Sequence, residues 1–263
     1  MSILLARTKR TLSVSIPKLH KDLRCATKPF YRNRPQLWRY QLRSIDARIG
    51  VSMRHGYTYI RIPKAANSTI SSTLDYHFPS GHEDRQGKSS YDKLSNLSQQ
   101  QIDTVLNDHY IFTVVRNPYH RTLSAYLQKF ARKSNADSWM RRFGGEIKAY
   151  GNGEASFLGF CRFLERGGLL ANIHWMPQHR IIEPIGIERI DYVGYVESLE
   201  HDLRTIMDSI GGDSSQLQLQ SSGPAPTGAA TKCKNYYDDE SADIVRRLFA
   251  EDFRLFGYSD STF

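Results

Sequence analysis

The pattern of apolar and polar positions along the chain predicts an α/β protein. Apolar runs at 57–62, 110–115 and 192–196 are typical of strands, and the second is almost continuously apolar, as in a parallel sheet covered on both faces. Apolar residues that recur every three to four positions predict helices at 37–49, 67–78, 94–106, 123–130, 157–165, 197–210 and 238–253. Strands alternating with helices favour a central, mainly parallel β-sheet flanked by helices.

The chain divides into a basic N-terminal extension at 1–52 and a catalytic domain at 53–263. The extension has three prolines and little periodicity before residue 37. Within the domain, 211–230 is a low-complexity stretch rich in Gly, Ser, Gln, Pro and Ala, which predicts a flexible loop.

Charge is distributed unevenly. The first 61 residues hold 14 of the 36 lysines and arginines but 2 of the 27 acidic residues, a net +12 that leaves −3 for the remainder. A basic arm of this kind is either simply solvated or contacts a polyanion, a nucleic acid or a membrane surface, and charge alone does not choose among these.

The apolar segments and the cysteines of the sequence indicate a cellular compartment. The sequence has no apolar run of about 20 residues, so a transmembrane helix is not expected. The opening apolar run is too short for a secretory signal. Cys25, Cys161 and Cys233 are too few and too widely spaced for a disulfide framework or a zinc site. We therefore expect a soluble protein in a reducing compartment, the cytoplasm.

The first segment that carries chemistry lies where the strand at 57–62 ends. Residues 63–69 read Pro-Lys-Ala-Ala-Asn-Ser-Thr. Ala65 and Ala66 are small enough for the loop backbone to approach an anion, Lys64 supplies a charge, and Ser68 and Thr69 supply hydroxyls at the positive end of a helix dipole. The Gly-x-x-x-x-Gly-Lys-Ser/Thr loop of nucleoside triphosphate-binding proteins is absent, so the segment is an anion site of another kind.

A second segment, Val-Arg-Asn-Pro-Tyr-His-Arg-Thr-Leu-Ser-Ala-Tyr at 115–126, follows the strand at 110–115. Arg116 offers a planar, two-point grip on a phosphate, and Ser124 lies two helical turns further on. Ligands of open α/β sheets bind at the carboxyl ends of the strands. Two anion sites at such ends suggest a nucleotide with phosphates at two places.

These two segments resemble the 5′-phosphosulfate loop and the 3′-phosphate motif of carbohydrate sulfotransferases, in particular the chondroitin/dermatan 4-O-sulfotransferase-like branch and its bacterial relatives. Further segments fit in order: His-Trp-Met-Pro-Gln at 174–178, Asp-Tyr-Val-Gly-Tyr-Val-Glu-Ser-Leu at 191–199, and the Asp-Phe-Arg-Leu-Phe-Gly-Tyr run at 252–258. The paired cysteines and the N-terminal anchor of the family's Golgi members do not occur, which favours the soluble, bacterial type.

The resemblance implies a P-loop-containing nucleotide-binding-like fold and a 3′-phosphoadenosine 5′-phosphosulfate (PAPS) co-substrate, without a metal. It implies that Lys64 contacts the bridging oxygen and the sulfonate, and that Lys232 or Lys234 reaches the 3′-phosphate. It also implies two phosphate-binding groups: Asn67, Ser68 and Thr69 for the 5′-phosphate, and Arg116 and Ser124 for the 3′-phosphate.

In-line transfer of a sulfuryl group to a hydroxyl needs a base for the hydroxyl proton. His174 is the first choice, because it lies in a segment of the resemblance beside Trp175, an aromatic that could stack on a sugar ring. His82, in a polar loop, and Glu197, just past a strand end, are the alternatives.

The expected partner is a hydroxyl-bearing saccharide, and an acidic one would suit the basic arm and the many arginines. No nucleic acid is expected, whereas peripheral contact of the arm with a membrane stays open. Two other functions compete: a phosphotransferase on a related scaffold, which needs magnesium and a Walker-type motif, and a non-catalytic polyanion-binding protein driven by the arm.

Overall fold

The fold was described from a computed structural model, which describes residues 22–39, 41–79, 91–131, 138–221 and 225–261. A four-stranded sheet is built in the order β1 (Ile49–Ser52), β2 (Tyr57–Ile60), β3 (Tyr110–Val115) and β4 (Tyr192–Tyr195). The pairs β2–β3 and β3–β4 are parallel, and β1 pairs antiparallel with β2. The predicted α/β architecture with a mainly parallel sheet is confirmed.

Register brings three strand ends to one edge of the sheet. Ile60 of β2 lies opposite Thr113 of β3, and Val115 of β3 lies opposite Tyr195 of β4. The loops that leave β2, β3 and β4 therefore start side by side, where ligands of parallel sheets bind.

Helices surround this sheet. The α-helices of the described ranges include α1 (Pro29–Arg32), α2 (Leu42–Asp46), α3 (Asn67–His77), α4 (Gln99–Asp108), α5 (Pro118–Tyr126), α6 (Gly145–Tyr150), α7 (Phe157–Phe163), α8 (Gln178–Ile182), α9 (Leu199–Ser209), α10 (Ala229–Tyr236), α11 (Asp239–Leu248) and α12 (Ala250–Phe256). Five-residue π-helical turns lie at Leu127–Ala131, Met140–Gly144 and Leu164–Gly168.

Several helix predictions were wrong in extent: the predicted helix at 94–106 is a 3₁₀ turn at Leu94–Asn96 followed, after two extended residues, by helix α4. The predicted helix at 37–49 is a 3₁₀ turn (Pro35–Arg39), helix α2 and the start of strand β1. The predicted helix at 238–253 is two helices, α11 and α12, divided at Phe249, whose φ of −112° and ψ of 18° are not helical. Part of the predicted loop at 211–230 is also regular, because Ala229 begins α10.

The described part of the N-terminal extension packs on the sheet. Phe30, Tyr31 and Ile45 are fully buried in the same cluster as Ile49 and Ile60. The Asp46 carboxylate accepts hydrogen bonds from the Tyr31 hydroxyl, 3.1 Å, and from the Ser95 side chain, 2.7 Å. Buried side chains of the described N-terminal residues therefore belong to the same core as the sheet.

A second core lies between α5, α7, α10 and α11. It is mostly aromatic, with Phe130, Phe160, Phe163 and Trp175 in mutual ring contact at centroid distances of 5.4 to 6.4 Å. Such pairs add to the hydrophobic stabilisation of the core. This core fixes the turn at 172–178 against the end of α5. Across the described ranges, none of the helices is both long and apolar enough to cross a membrane.

Candidate active site

The loop after β2 is held in an unusual backbone conformation. Lys64 and Ala66 have positive φ values of 71° and 51°, which residues other than glycine seldom adopt. Residues kept in such conformations concentrate at ligand sites, and alternating backbone hands turn successive N–H groups toward one concave side. This loop ends at the first turn of α3, so backbone donors and the helix dipole point to the same place.

Capping of α3 differs from the sequence expectation that Asn67 or Ser68 caps it. Ala66 is the N-cap residue, and no side chain caps the helix through it. The Asn67 Oδ1 atom is buried and has no hydrogen-bond partner among the described residues. The N–H of Ala65 is used within the loop, donating to the Ile62 carbonyl at 3.3 Å, and its side chain is buried in the core. An anion would therefore meet the α3 N-terminus rather than the Ala65 amide.

Two arginines of the second segment donate hydrogen bonds to backbone carbonyls of this loop. Arg116 Nη1 donates to the Lys64 carbonyl at 3.2 Å, and Arg121 Nε donates to the Pro63 carbonyl at 3.0 Å. Arg121 also donates to the Met176 carbonyl at 2.9 Å and is 1% exposed. The loop after β2 is thus tied to α5 and to the turn at 172–178 by one buried guanidinium.

Both guanidiniums retain unused donors. Arg116 Nε and Arg121 Nη2 are buried and lack a hydrogen-bond partner within the described ranges. Burial lowers the pKa of Arg121 to about 10 and lowers the pKa of Arg116, so both remain cations at neutral pH. An unpaired buried cation is costly, and a bound anion would relieve that cost.

Gln178 fixes the start of the loop after β3. Its Oε1 accepts from the Arg116 backbone N–H at 3.0 Å, and its Nε2 donates to the Arg116 carbonyl at 2.8 Å. The Gln178 N–H in turn donates to Asp252 Oδ2 at 2.7 Å, and Asp252 Oδ1 accepts from the His179 N–H at 3.0 Å. The segments at 174–178 and 252–258 therefore shape the second anion segment.

Ser124 and Lys232 both form hydrogen bonds with Thr227. Ser124 Oγ lies 3.0 Å from Thr227 Oγ1, and Lys232 Nζ donates to the Thr227 carbonyl at 3.1 Å. Ser124 is 2% exposed and therefore faces the interior of this cluster. The structure thus brings two of the predicted phosphate-binding residues together and adds Thr227, which the sequence gave no reason to select.

Lys64 points toward the end of α5. Its Nζ donates to Gln128 Oε1 at 2.9 Å. Gln128 lies on the π-helical turn Leu127–Ala131, and such turns occur often at functional sites because they displace side chains from α-helical register.

His174 lies in the turn at 172–178, where Asn172 holds its imidazole. The Asn172 Oδ1 atom accepts from the His174 backbone N–H at 3.1 Å and lies 2.7 Å from His174 Nδ1. Because that amide oxygen can only accept, Nδ1 carries the proton and Nε2 keeps its lone pair. Burial first, and then the charges of Lys129, Arg48, Lys64 and Arg121, lower the pKa of His174 to about 3. The imidazole is therefore neutral at neutral pH, the form a base requires.

Trp175 does not face a ligand, so the predicted stacking of this residue on a sugar was wrong. The side chain is fully buried in the aromatic core, and its Nε1 donates to the Gly168 carbonyl at 2.9 Å. The adjacent side chains of His174 and Trp175 point to opposite sides of the turn, and the larger indole ring packs on the apolar side.

The two alternative bases have different outcomes. Glu197 Oε1 accepts from the Asn117 N–H at 3.1 Å and Oε2 accepts from the Tyr258 hydroxyl at 2.9 Å. Burial opposes ionisation, but hydrogen bonds from His120, Asn117 and Tyr258 outweigh it and lower the pKa of Glu197. A carboxylate committed in this way holds the loop after β3. His82 lies outside the described residues.

Sequence reasoning missed several residues of the site: Arg121, Gln128, Asn172, Gln178 and Thr227. The signal for Gln178 was its place in a segment of the resemblance, and Arg121 stood within the second anion segment. No local pattern marks Gln128 or Thr227, which reach the site only through a π-helical turn and a long loop. In the described ranges, no group of three or more His, Cys, Asp or Glu residues could hold a metal ion.

A positive-φ loop at a helix N-terminus and two buried arginines meet at the carboxyl ends of the parallel strands. The chain belongs to the sulfotransferase family, whose model matches residues 47–259. It is an enzyme of that family, and the resemblance inferred from the motifs is confirmed.

Curated relatives agree with this assignment. Carbohydrate sulfotransferase 10 of Xenopus laevis is 28% identical over 250 residues, which cover 82% of this chain and 68% of the relative. The human protein of that name is 27% identical over 249 residues, with the same coverage. Carbohydrate sulfotransferase 14 of Danio rerio is 28% identical over 193 residues, or 65% of this chain and 50% of the relative. No solved structure is significantly similar to the chain.

Proposed function

We propose that this sulfotransferase moves a sulfuryl group from PAPS to a hydroxyl of a saccharide. The observation that carries the proposal is the direct contact between the two anion segments, Arg116 Nη1 to the Lys64 carbonyl. A donor with phosphates at two places needs both segments at once. The names of the relatives, which are carbohydrate sulfotransferases, support a saccharide as acceptor.

The donor's two phosphates fit the hydrogen-bond donors that these two segments present. The α3 N-terminus, with the Asn67 side-chain amide and the Ser68 and Thr69 hydroxyls on its first turn as donors, would receive the 5′-phosphate. Arg116, through its unused Nε, would receive the 3′-phosphate together with Ser124, and Lys232 lies beside Ser124 on Thr227. A P-loop-containing nucleotide-binding-like fold remains our prediction for the scaffold.

The chemistry follows from two side chains. The acceptor oxygen attacks sulfur, the bond from sulfur to the 5′-phosphate oxygen breaks, and the hydroxyl proton passes to His174 Nε2. Lys64 Nζ stabilises the negative charge that develops on the leaving oxygen. Gln128 and Asn172 keep these two groups in orientation through their hydrogen bonds. No step of this mechanism uses a metal ion, so the proposal predicts that the reaction proceeds without one.

A low pKa makes His174 a weak base in the free protein, and the proposal accounts for it. Four cations lower that pKa after burial, namely Lys129, Arg48, Lys64 and Arg121. A multiply charged donor would offset these cations and raise the pKa toward its ordinary value. The base would thus gain strength when the donor is in place.

The compartment and the basic arm remain proposals as well. Cysteine usage supports the cytoplasm, and the excess charge before residue 61 supports contact of the arm with an acidic saccharide or a membrane surface rather than a nucleic acid.

Titration calorimetry with adenosine 3′,5′-bisphosphate, and separately with ATP and magnesium, tests the donor. We expect micromolar binding of the bisphosphate that is lost in Arg116→Ala. Binding of ATP with magnesium but not of the bisphosphate would replace the proposal with a phosphotransferase.

The base is tested by His174→Ala. The variant should retain bisphosphate binding and lose transfer of labelled sulfate from PAPS to saccharides. Transfer that survives would move the base to another residue, and His82→Ala is then the next variant. Loss of binding together with transfer would mean that His174 is structural.

A further inference from the structure

We propose that Asp252 and Tyr258, which lie on helix α12 and in the turn that follows it, are positioning residues for Arg116 at the 3′-phosphate site. Each acts through one intermediate side chain, and the two connections end on the same peptide group, the one that joins Arg116 to Asn117. This inference rests on the proposed function and deepens it, because it specifies what sets the affinity of that site for its donor.

Both polar groups of the peptide unit between Arg116 and Asn117 are bound by side chains. Its carbonyl, which belongs to Arg116, accepts a hydrogen bond from Gln178 Nε2 at 2.8 Å. Its N–H, which belongs to Asn117, donates to Glu197 Oε1 at 3.1 Å. Because β3 ends at Val115, this peptide lies beyond the strand pairing of the sheet. The two side chains therefore orient the peptide that carries the Arg116 side chain.

The first connection links Asp252 to Gln178. Asp252 is fully buried, and its carboxylate accepts from the backbone N–H groups of Gln178 at 2.7 Å and of His179 at 3.0 Å. The same carboxylate lies 2.6 Å from His179 Nδ1. The two N–H groups belong to the first turn of helix α8, so a buried anion meets the positive end of that helix. Gln178 is fully buried as well, and both polar atoms of its side-chain amide are bound to the backbone of Arg116.

The second connection links Tyr258 to Glu197. The Tyr258 hydroxyl donates to Glu197 Oε2 at 2.9 Å, while Oε1 of the same carboxylate accepts from the Asn117 N–H. Gly257, with a φ of 66°, caps α12 and turns the chain so that the Tyr258 N–H donates back to the Phe253 carbonyl at 3.1 Å. Such a left-handed residue is a common way to end a helix. The end of α12 thus places the Tyr258 hydroxyl against Glu197.

Arg116 depends on its backbone for its position at the site. Its Nη1 donates to the Lys64 carbonyl at 3.2 Å, and its Nε is buried without a hydrogen-bond partner in the described part of the chain. A 3′-phosphate would bind to this guanidinium, so a shift of the peptide at Arg116 would move the donor away from the phosphate. Binding to a preorganised group avoids the cost of ordering it. Loss of either connection should therefore lower the affinity for a 3′-phosphate.

Two conservative substitutions test the proposal. Tyr258→Phe removes one hydroxyl, and Asp252→Asn keeps the shape of the side chain but replaces an acceptor oxygen with a donor. Titration calorimetry measures the affinity of each variant for adenosine 3′,5′-bisphosphate and for adenosine 5′-phosphate. We expect binding of the bisphosphate to weaken about threefold to tenfold in Tyr258→Phe and about tenfold or more in Asp252→Asn. Binding of adenosine 5′-phosphate should stay within about twofold of wild type, because it has no 3′-phosphate for Arg116 to bind.

A matched pair of controls separates positioning from stability. The Tyr31 hydroxyl donates to the buried Asp46 carboxylate at 3.1 Å, and Ser95 donates to that carboxylate through its N–H and its hydroxyl. Tyr31→Phe and Asp46→Asn therefore remove the same kinds of hydrogen bond from the N-terminal part of the core. Both controls should lose stability in urea denaturation, as the two test variants do, and should keep the wild-type affinity for both nucleotides.

Affinity for the bisphosphate within about twofold of wild type in both test variants would overturn the proposal. An equal loss of affinity for both nucleotides would overturn it as well, because the residues would then be structural. If Asp252→Asn does not fold, Tyr258→Phe decides the question alone. Wild-type protein that does not bind the bisphosphate would refute the proposed function, and this inference with it.

Discussion

Arg116 Nη1 donates a hydrogen bond to the Lys64 carbonyl at 3.2 Å, and this contact joins the two segments that the sequence marks as anion sites. The two residues are 52 positions apart and follow neighbouring parallel strands, β2 and β3. Lys64, which accepts this bond, has a positive φ of 71°. The positions of Lys64, the proposed catalytic lysine, and of Arg116, the proposed ligand of the second phosphate, are therefore coupled.

Removal of the lysine charge should impair catalysis more than binding. We expect Lys64→Ala to lower kcat by about 10²–10³-fold, because a single preorganised donor to a developing charge contributes that much. The fold should persist, since Lys64 is only half-buried. Steady-state rates and bisphosphate titration check the prediction, with Lys93→Ala as the control. Wild-type turnover in Lys64→Ala would remove Lys64 from the mechanism.

Arg116 should contribute to both binding and stability. Arg116→Ala removes the guanidinium that supports the Lys64 carbonyl, and we expect a loss of about 1–3 kcal/mol in the free energy of unfolding as well as weaker bisphosphate binding. Arg116→Lys keeps the charge without the planar fork and should recover stability better than affinity. Urea denaturation and calorimetry separate the two effects. Unchanged bisphosphate affinity in both variants would contradict the assignment.

Gln178 should act on the site through Arg116. Gln178→Leu leaves the N–H and the carbonyl of Arg116 unpaired, which should cost about 2–3 kcal/mol of unfolding free energy and weaken bisphosphate binding. Gln216→Leu, at an exposed position, serves as the control and should change stability by less than about 0.5 kcal/mol. Equal stability of the two variants would show that the amide bonds do not hold the strand end.

Acid should destabilise the wild type through His174. Its pKa of about 3 in the folded protein lies below the ordinary 6.5, so between these values the unfolded chain binds a proton that the native protein does not. The contribution of His174 to the free energy of unfolding is therefore fully present above about pH 6.5 and is lost as pH falls toward 3. The loss amounts to roughly 2 kcal/mol between pH 7 and pH 5.

His174→Gln should show a smaller loss over that interval. Denaturation midpoints of both proteins at pH 7 and pH 5 provide the comparison, because the carboxylates of the chain are common to both. Parallel losses in the two proteins would mean that the pKa of His174 is not depressed. With bound bisphosphate, the difference should shrink, since the anion raises that pKa.

Tertiary contacts corrected particular expectations from the sequence. Trp175 and His174 are neighbours in one segment, yet one fills the aromatic core and the other faces the site. Ile49 ends the predicted helix at 37–49 yet begins strand β1, because pairing with β2 satisfies the backbone groups of 49–52. Periodicity reports which residues are apolar, but not which partner they meet.

The sequence by itself determined the alternation of strands and helices, the two anion segments at strand ends and the family, since these depend on local spacing. Only the tertiary structure decided which polar atoms share the site: Arg121 beneath the loop, Gln178 around Arg116, Thr227 between Ser124 and Lys232, and Gln128 against Lys64. Apart from the bond between Lys232 and Thr227, those contacts join residues 58 to 103 positions apart in the chain. They depend on register and packing across the whole core, which local pattern does not encode.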